Sequence, residues 1–426
     1  MMDYRILLIT AFLPWPVKRH GGAQRTRLML EALRRLGKVE LMQMLPAGWE
    51  QSAEQTVEEH LGDLQVAARI ESAPPRPTGS WRHLARIGGP AGRLGKLLSG
   101  MRSEYTPDAN ALSWLKDQIS NKRYDLIVCR NLRPAMLAGA GHCFGIPRIL
   151  DLDDIDWNIL ANQIRWEPWP GWKGRVAATL AVRQIRGLVR TLARRFNGIW
   201  VTNEEDRAEV ALRGVRVLPN IPFRPPGGPP IRFCPLRPES KEIFFIGDLS
   251  FLPNREGLEH FLQRVWPVIR RRIPDAVVRI GGIGLDTQTR NSWAAREGVE
   301  IIGFVEDLQA EYDRCAITIA PIQWGAGTKI KVLESLAYGR TCVVTPHALH
   351  GHGCNLRHGE SIWCGETDEA MAEGCTRLLD DPDLRTCLAD VGHSVILSKY
   401  SVKSFEDEVL SVSNELLAWK NLPAQK

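Results

Sequence analysis

The residues best placed to do chemistry lie where a strand runs through a glycine loop into a helix: Pro321-Ile-Gln-Trp-Gly-Ala-Gly-Thr-Lys-Ile-Lys-Val-Leu-Glu-Ser-Leu-Ala-Tyr-Gly339. The pattern predicts a strand ending near Pro321 and a helix that starts near Thr328 and stops before Gly339. Gly325 and Gly327 let the backbone approach a ligand closely, and the unpaired amides of a helix start favour an anion. Lys331 and Glu334 are three residues apart on one side of that helix. A lysine there can neutralise a diphosphate, and a carboxylate can accept from two vicinal ribose hydroxyls. The same spacing also describes an exposed Lys–Glu pair worth a few tenths of a kcal/mol, and spacing alone does not separate the two.

Three other groupings carry possible chemistry. In Ile149-Leu-Asp-Leu-Asp-Asp-Ile-Asp156, Asp153 can position a hydroxyl or take its proton, although a reference pKa of about 4 makes it a weak base unless burial raises it; Asp153 or Asp154 can equally cap a helix. His347, His350 and His352 fall within six residues, yet no cysteine or carboxylate spacing supports a closed zinc site, so they read as a loop. Gly281-Gly-Ile-Gly284 does not complete a dinucleotide fingerprint and reads as a turn.

To position such groups the chain needs scaffolding, and its patterning supplies it twice. Apolar runs at Ile6–Thr10, Val39–Met44, Leu126–Cys129, Arg148–Leu152, Ile199–Thr202 and Val215–Leu218 alternate with helix-period segments. After the proline-rich Pro219-Asn-Ile-Pro-Phe-Arg-Pro-Pro-Gly-Gly-Pro-Pro230 the alternation restarts, with strands at Glu242–Gly247, Ala276–Gly281, Val299–Ile302, Ala316–Ala320 and Thr341–Thr345. Strand–helix alternation argues for parallel sheets covered on both faces, and two such domains create a cleft at their strand ends. The segment Pro74–Gly100 yields no ordering.

Composition narrows the classes. At 426 residues, 24% charged and 44% hydrophobic, the chain suits two or three packed domains and excludes global disorder. No run reaches the roughly 18–20 apolar residues of a membrane span, and the apolar opening up to Leu13 reads as a buried strand. Nine cysteines without a Cys-x-x-Cys pair read as reduced, mostly buried thiols of a cytoplasmic protein. Residues 1–220 hold 32 basic against 22 acidic side chains, which points that half toward an anionic partner. Between Arg165 and Arg195 lie eight basic residues and one acid, Glu167, with Trp166, Trp169 and Trp172 at the start. Ile185, Leu188, Leu192 and Phe196 form an apolar stripe, with Arg183, Arg186, Arg190 and Arg194 elsewhere around the helix. Such a helix suits an anionic membrane surface, and it also suits a helix covering a sheet.

The 321–339 stretch, with Phe244-Phe-Ile-Gly-Asp-Leu-Ser-Phe-Leu-Pro-Asn-Arg-Glu-Gly-Leu258, Ile302-Gly-Phe-Val305 and Thr341-Cys-Val-Val-Thr345, resembles the GT-B retaining glycosyltransferases of family four, the glycosyl transferases group 1. Gly21-Gly22-Ala-Gln24 and Val217-Leu-Pro-Asn220 extend the resemblance over nearly the whole chain. It implies an α/β, GT-B architecture of two Rossmann-like doubly wound domains: 1–220 on the acceptor side, a linker at 221–238, a nucleotide-sugar domain at 239–398, and a C-terminal helix at 399–426 packing back on the first domain. The implied activity is metal-independent, retaining transfer of a hexose from a nucleotide-sugar to a glycan or lipid-linked acceptor. The implied setting is cell-surface polysaccharide synthesis in the cytoplasm or on the inner membrane face, with no resident cofactor.

By the same resemblance Glu334 holds the ribose, Gly325, Gly327 and Thr328 lie near the donor sugar and phosphates, Val305 meets the base through its backbone, and Gly21, Gly22 and Arg25 face the cleft. Three departures stand out. Ala326 replaces a frequent glutamate eight positions before Glu334; Asp248 and Asn254 stand where many members place Arg and Lys, leaving Lys329 or Lys331 to meet the diphosphate; and Asp153 falls where many have histidine. Asp151-Leu-Asp153 matches the metal-holding Asp-x-Asp of a different, single-domain glycosyltransferase fold, which the duplicated pattern argues against. A nucleotide-sugar epimerase of the same plan and an inactive glycosyltransferase-like scaffold stay open as alternatives, while no motif supports nucleic-acid binding.

Overall fold

Nearly continuous apolar runs become two all-parallel sheets. The computed structural model describes residues 4–11, 14, 21–45, 65–71, 94–95, 104–121, 123–143, 145–166, 171–222, 231–233, 237–325 and 327–420. By internal contacts the chain divides into two units, 1–219 with 405–426, and 220–404.

In the first unit the elements are β1 (Tyr4–Thr10), α1 (Gly21–Arg34), β2 (Gly37–Leu45), β3 (Gln65–Glu71), α2 (Ala109–Ser120), β4 (Leu126–Arg130), α3 (Leu132–Leu137), β5 (Arg148–Leu152), α4 (Asp156–Trp166), α5 (Gly171–Ala193), β6 (Gly198–Val201), α6 (Glu204–Val210) and β7 (Val215–Val217). The strand order is β3-β2-β1-β4-β5-β6-β7, so the order reverses between β1 and β4. Ile6 to Ile9 and Leu126 to Cys129 are fully buried, as strands covered on both faces must be. Ile185 and Val189 of α5 pack on this core with Leu150 and Val201.

The second unit runs β8 (Glu242–Ile246), α7 (Leu252–His260), α8 (Trp266–Arg272), β9 (Val277–Gly281), α9 (Thr287–Ala294), β10 (Val299–Gly303), α10 (Leu308–Arg314), β11 (Ile317–Ala320), α11 (Ile330–Ala337), β12 (Cys342–Val344), α12 (Pro346–Leu349), β13 (Trp363–Cys364), α13 (Asp368–Asp380) and α14 (Pro382–Lys399). Its order, β10-β9-β8-β11-β12-β13, repeats the first with the reversal between β8 and β11. Doubly wound sheets bind ligands outside the carboxyl ends of their strands at such a reversal, so each unit prepares one site at the end of its first and fourth strands. The final helix, α15 (Val402–Lys420), lies mostly within the first unit: Arg216 reaches Glu408 and Glu415 at 2.8 Å, and Phe405 is 1% exposed.

Several expectations change. Gly21 and Gly22 open α1 rather than forming a loop before it, and α11 starts at Ile330 with Gly339 in a left-handed turn at φ 74°. β3, β13 and α2 carry too little periodicity to read from sequence. None of Cys129, Cys143, Cys315, Cys342, Cys354, Cys375 and Cys387 is in a disulfide; Cys354 and Cys387 are exposed and the other five buried, and burial pushes the Cys143 thiol up to about 11. No described helix is long and apolar enough to cross a membrane. Trp169, Ala326, Cys234, most of the proline-rich linker and most of 74–100 lie outside the described residues.

Candidate functional site

In the second unit the loops after three strands are sewn together. Gly247 N–H donates to the Gly281 carbonyl at 3.2 Å, Leu249 N–H to Ile283 at 2.7 Å, and Gly282 N–H to Gly303 at 2.7 Å. The approach is so close that a Cβ at Gly282, where φ is +143°, would sit 1.8 Å from the Gly247 carbonyl oxygen. The Gly281–Gly284 cluster is thus the packing joint for the edge that carries Val305, whose methyl group lies against Gly281.

The glycine loop ahead of α11 is held from several sides. Gly325 (φ 111°) and Gly327 (φ 73°) both turn through the left-handed region, which only glycine enters cheaply. His347 Nε2 donates to the Gly325 carbonyl at 2.8 Å, Lys329 Nζ to the Gly327 carbonyl at 2.7 Å, and Asn220 Nδ2 to Thr328 Oγ1 at 2.9 Å. The three histidines therefore have separate settings: His347 braces the loop, His350 is exposed, and His352 is buried against Tyr400 at a ring separation of 6.1 Å. Among the described residues no three His, Cys, Asp or Glu side chains are grouped to hold a metal ion.

Lys331 and Glu334 are not an exposed pair. Lys331 Nζ donates to Asn254 Oδ1 at 2.8 Å and sits 4.0 Å from the Phe245 ring centre, while Asn254 Nδ2 donates to the Asp248 carbonyl at 2.7 Å. Glu334 is 6% exposed, and its Oε1 is buried with no hydrogen-bond partner. Burial pushes the Glu334 carboxyl up to about 8, only partly offset by Lys331, and burial together with Lys329 pushes Lys331 down to about 7. A buried acceptor without a partner costs free energy until something donates to it. The place of the missing basic residue is therefore taken by an amide, Asn254, that holds a lysine from α11. Asp248 turns its carboxylate to the Ser250 amide at 2.8 Å.

The first unit gathers a different group at its own reversal point. Arg25 of α1 grips Asp151 at the end of β5 with two hydrogen bonds of 2.8 and 2.7 Å and donates to the Leu218 carbonyl at 2.9 Å. Arg130, the last residue of β4, donates to Asp151 Oδ2 at 3.2 Å, to Thr26 Oγ1 at 2.8 Å, to Asp153 Oδ2 at 2.5 Å and to the Gly22 carbonyl. Arg25, Arg130 and Asp151 are at most 2% exposed, whereas the Asp153 side chain is 14% exposed. Arg25 is thus an interior brace with its guanidinium occupied, in contrast to the expectation of a cleft-facing arginine. Asp153 accepts from Arg130, and both carboxylates of Asp151-Leu-Asp153 are engaged by guanidinium groups, which argues against the Asp-x-Asp metal reading. Arg130 escaped the sequence reading; the available signal was a charged residue directly ending the apolar run Leu126-Ile-Val-Cys.

Residues 240–381 match the family model described as Glycosyl transferases group 1. The chain carries a glycosyl transferases group 1 domain. It is 28% identical over 165 residues to a Klebsiella pneumoniae protein described as an uncharacterized 44.6 kDa protein in cps region, and 25% identical over 158 residues to an uncharacterized glycosyltransferase of Haemophilus influenzae. These matches cover 37% and 36% of this chain and span only 41% and 43% of those relatives. Solved structures match end to end: TarM at TM-score 0.65 and 10% identity (98% of this chain, 99% of that one), Thermosynechococcus elongatus sucrose-phosphate synthase at 0.64 and 13% (98% and 100%), and Anabaena HepE in complex with UDP at 0.64 and 13% (97% and 100%). At those identities the likeness establishes the fold, which is GT-B: two Rossmann-like parallel-sheet domains of seven and six strands.

Proposed function

We propose that the protein is a glycosyltransferase that moves a sugar, with retention at the anomeric carbon and without a metal ion, from a nucleotide-sugar to a glycan or lipid-linked acceptor in cell-surface polysaccharide synthesis. The observation that carries this reading is the buried, unpartnered Glu334 Oε1 in the helix that follows the glycine turn, an acceptor poised for hydroxyl donors. In this reading Glu334 takes the ribose hydroxyls, Val305 meets the base through its backbone, and Gly325, Gly327 and Thr328 border the donor sugar and phosphates. Lys331, kept in place by Asn254 and through it by Asp248, neutralises the diphosphate with Lys329. Charge on the departing diphosphate is then met by preorganised amides and cations, the kind of electrostatic stabilisation that needs no reorganisation during the reaction.

The first unit takes the acceptor, with Asp153 orienting its hydroxyl and Gly21 and Gly22 at the start of α1 bordering it; Arg25 and Arg130 hold that carboxylate's surroundings rather than touch the substrate. HepE has been solved with UDP-glucose, and TarM with UDP and alpha-GlcNAc-glycerol, which favours a UDP-sugar donor here. The cps region named for the Klebsiella relative favours a capsule-type product. A site on the inner face of the cell membrane suits the lipid-linked class of acceptor. The test is a thermal-shift screen of UDP-, GDP-, ADP- and dTDP-sugars, followed by product analysis with and without acceptor in excess chelator. Ligand-specific stabilisation with acceptor-dependent transfer supports the reading. Epimerised donor without acceptor, or binding without turnover, overturns it.

A further inference from the structure

Helix α5 has two apolar faces, and the fold uses only one. Ala177, Ala181, Ile185, Val189 and Leu192 are buried against the first core. On the opposite side, Trp172, Val176 and Leu180, four residues apart and thus in one row, are 67%, 51% and 45% exposed. A helix that merely covers a sheet needs no second apolar row. Trp166, at the end of α4, adds a further exposed ring at 39%.

Beside that row lies an open groove of about 1040 Å³ between α4 and α5, floored by Ala161, Ile164, Ala178 and Val182 and edged by Arg165, Arg175, Arg183, Arg186 and Arg190. Two of these arginines are anchored. Arg190 and Arg186 donate to the Glu209 carbonyl at 2.5 and 3.1 Å, and the Arg186 guanidinium lies 5.7 Å from the Trp157 ring centre. The Glu209 carboxylate comes no nearer to Arg186 than 3.9 Å, and among the described residues Arg165, Arg175 and Arg183 have no acidic partner. Five like charges around an apolar floor repel one another unless an anion sits among them, and an anion with an apolar tail would satisfy both floor and rim.

We propose that this groove is a docking site for the phosphate headgroup of an anionic phospholipid at a bilayer surface, with Trp172, Val176 and Leu180 entering the headgroup layer beside it. Arginine suits this role because its planar fork binds phosphate oxygens in pairs, and an indole sits favourably at the boundary of headgroup and chain. The site rests on the membrane-side part of the reading above and names the residues that would serve it. It is separate from the groups that hold donor or acceptor.

The test is co-sedimentation of the full chain with vesicles of phosphatidylglycerol mixed into phosphatidylcholine, and with phosphatidylcholine alone. Binding to the mixed vesicles only, falling with salt and weakened about a hundredfold in R165Q/R175Q/R183Q at roughly fivefold per arginine, supports the site. W172S/L180S losing vesicle binding while keeping the same Tm supports it further. Equal binding by the triple variant, no binding by the native chain at low salt, or complete displacement by inorganic pyrophosphate at matched ionic strength overturns it, the last by making the groove a site for a soluble anion. Stabilisation by UDP, measured alongside, is expected to be unchanged in the triple variant. A native chain that binds vesicles yet shows no UDP shift supports the groove and overturns the donor reading alone.

Discussion

Lys331 Nζ donates to Asn254 Oδ1 at 2.8 Å, and this one bond ties the helix after β11 to the helix after β8. It supplies a cation where the loop after β8 has none of its own. Asn254→Ala leaves Lys331 without its acceptor and free to turn away. We expect donor or UDP affinity to fall about tenfold, the worth of a hydrogen bond to a charged group, with little change in Tm. Calorimetric titration with UDP checks it, and unchanged affinity would remove Asn254 from the site.

Gly247 gives a sharper probe of the same lysine. A Cβ there would meet Lys331 Nζ at 2.7 Å and Asn254 Nδ2 at 3.1 Å, both ends of flexible side chains, whereas at Gly282 it would meet backbone at 1.8 Å. Gly247→Ala should therefore fold almost normally but displace the lysine, losing donor affinity at least as strongly as Asn254→Ala. Gly282→Ala should instead lose stability, by about 2 kcal/mol or more, because neither the φ of +143° nor the neighbouring carbonyl can yield cheaply. Parallel denaturant and ligand titrations separate the two outcomes.

The Glu334–Lys331 pair writes a signature into the pH dependence of stability. Glu334 in the folded chain, raised from 4.5 to about 8, holds a proton that the unfolded chain has already released, so its contribution is full below about pH 4.5 and is lost as pH rises through 8. Lys331, lowered from 10.5 to about 7, has the opposite slope: stability from it rises between about pH 7 and 10.5. Together they produce a shallow minimum near pH 7–8. In urea-melt series against native protein, Glu334→Gln should flatten the acid limb and Lys331→Met the alkaline limb. Parallel curves for native and variant chains would rule the burial argument out.

How much of this was legible beforehand depended on how local each signal is. Alternating apolar strands and the glycine turn before α11 report on neighbouring residues, and so the strands that carry the sites were readable to within one or two positions. Glu334 stands out through the family resemblance rather than through its three-residue spacing from Lys331, and its burial is not legible because what covers it comes from distant parts of the chain. The same holds for Asn254, which reads as a missing base in the sequence and acts as a lysine's partner in space. The resemblance puts Arg25 at the cleft, and no local pattern gives its partner away, because Asp151 stands 126 positions on. β3 and β13 give almost no alternation because one is half exposed and the other is two residues long.

The charge cluster around Asp151 makes the last prediction. Two guanidinium groups and two carboxylates meet there, and three of the four groups are at most 2% exposed, so the cluster is close to neutral only as a set. Removing Asp151 leaves Arg25 with the Leu218 carbonyl and with Asp153 at 3.9 Å, and Arg130 with its bonds to Asp153, Thr26 and the Gly22 carbonyl. Asp151→Ala should thus cost about 3–5 kcal/mol, the penalty for stranding a buried charge. Asp153, partly open to solvent, should behave differently. Asp153→Asn keeps the shape and one acceptor oxygen for Arg130, and is expected to cost about 1–2 kcal/mol while lowering acceptor-dependent transfer far more than donor binding. If Asp153→Asn turned over acceptor normally, the carboxylate would be a brace for Arg130 and nothing more. If it lost donor binding as well, the first unit's contribution would lie with the whole cluster rather than with this residue.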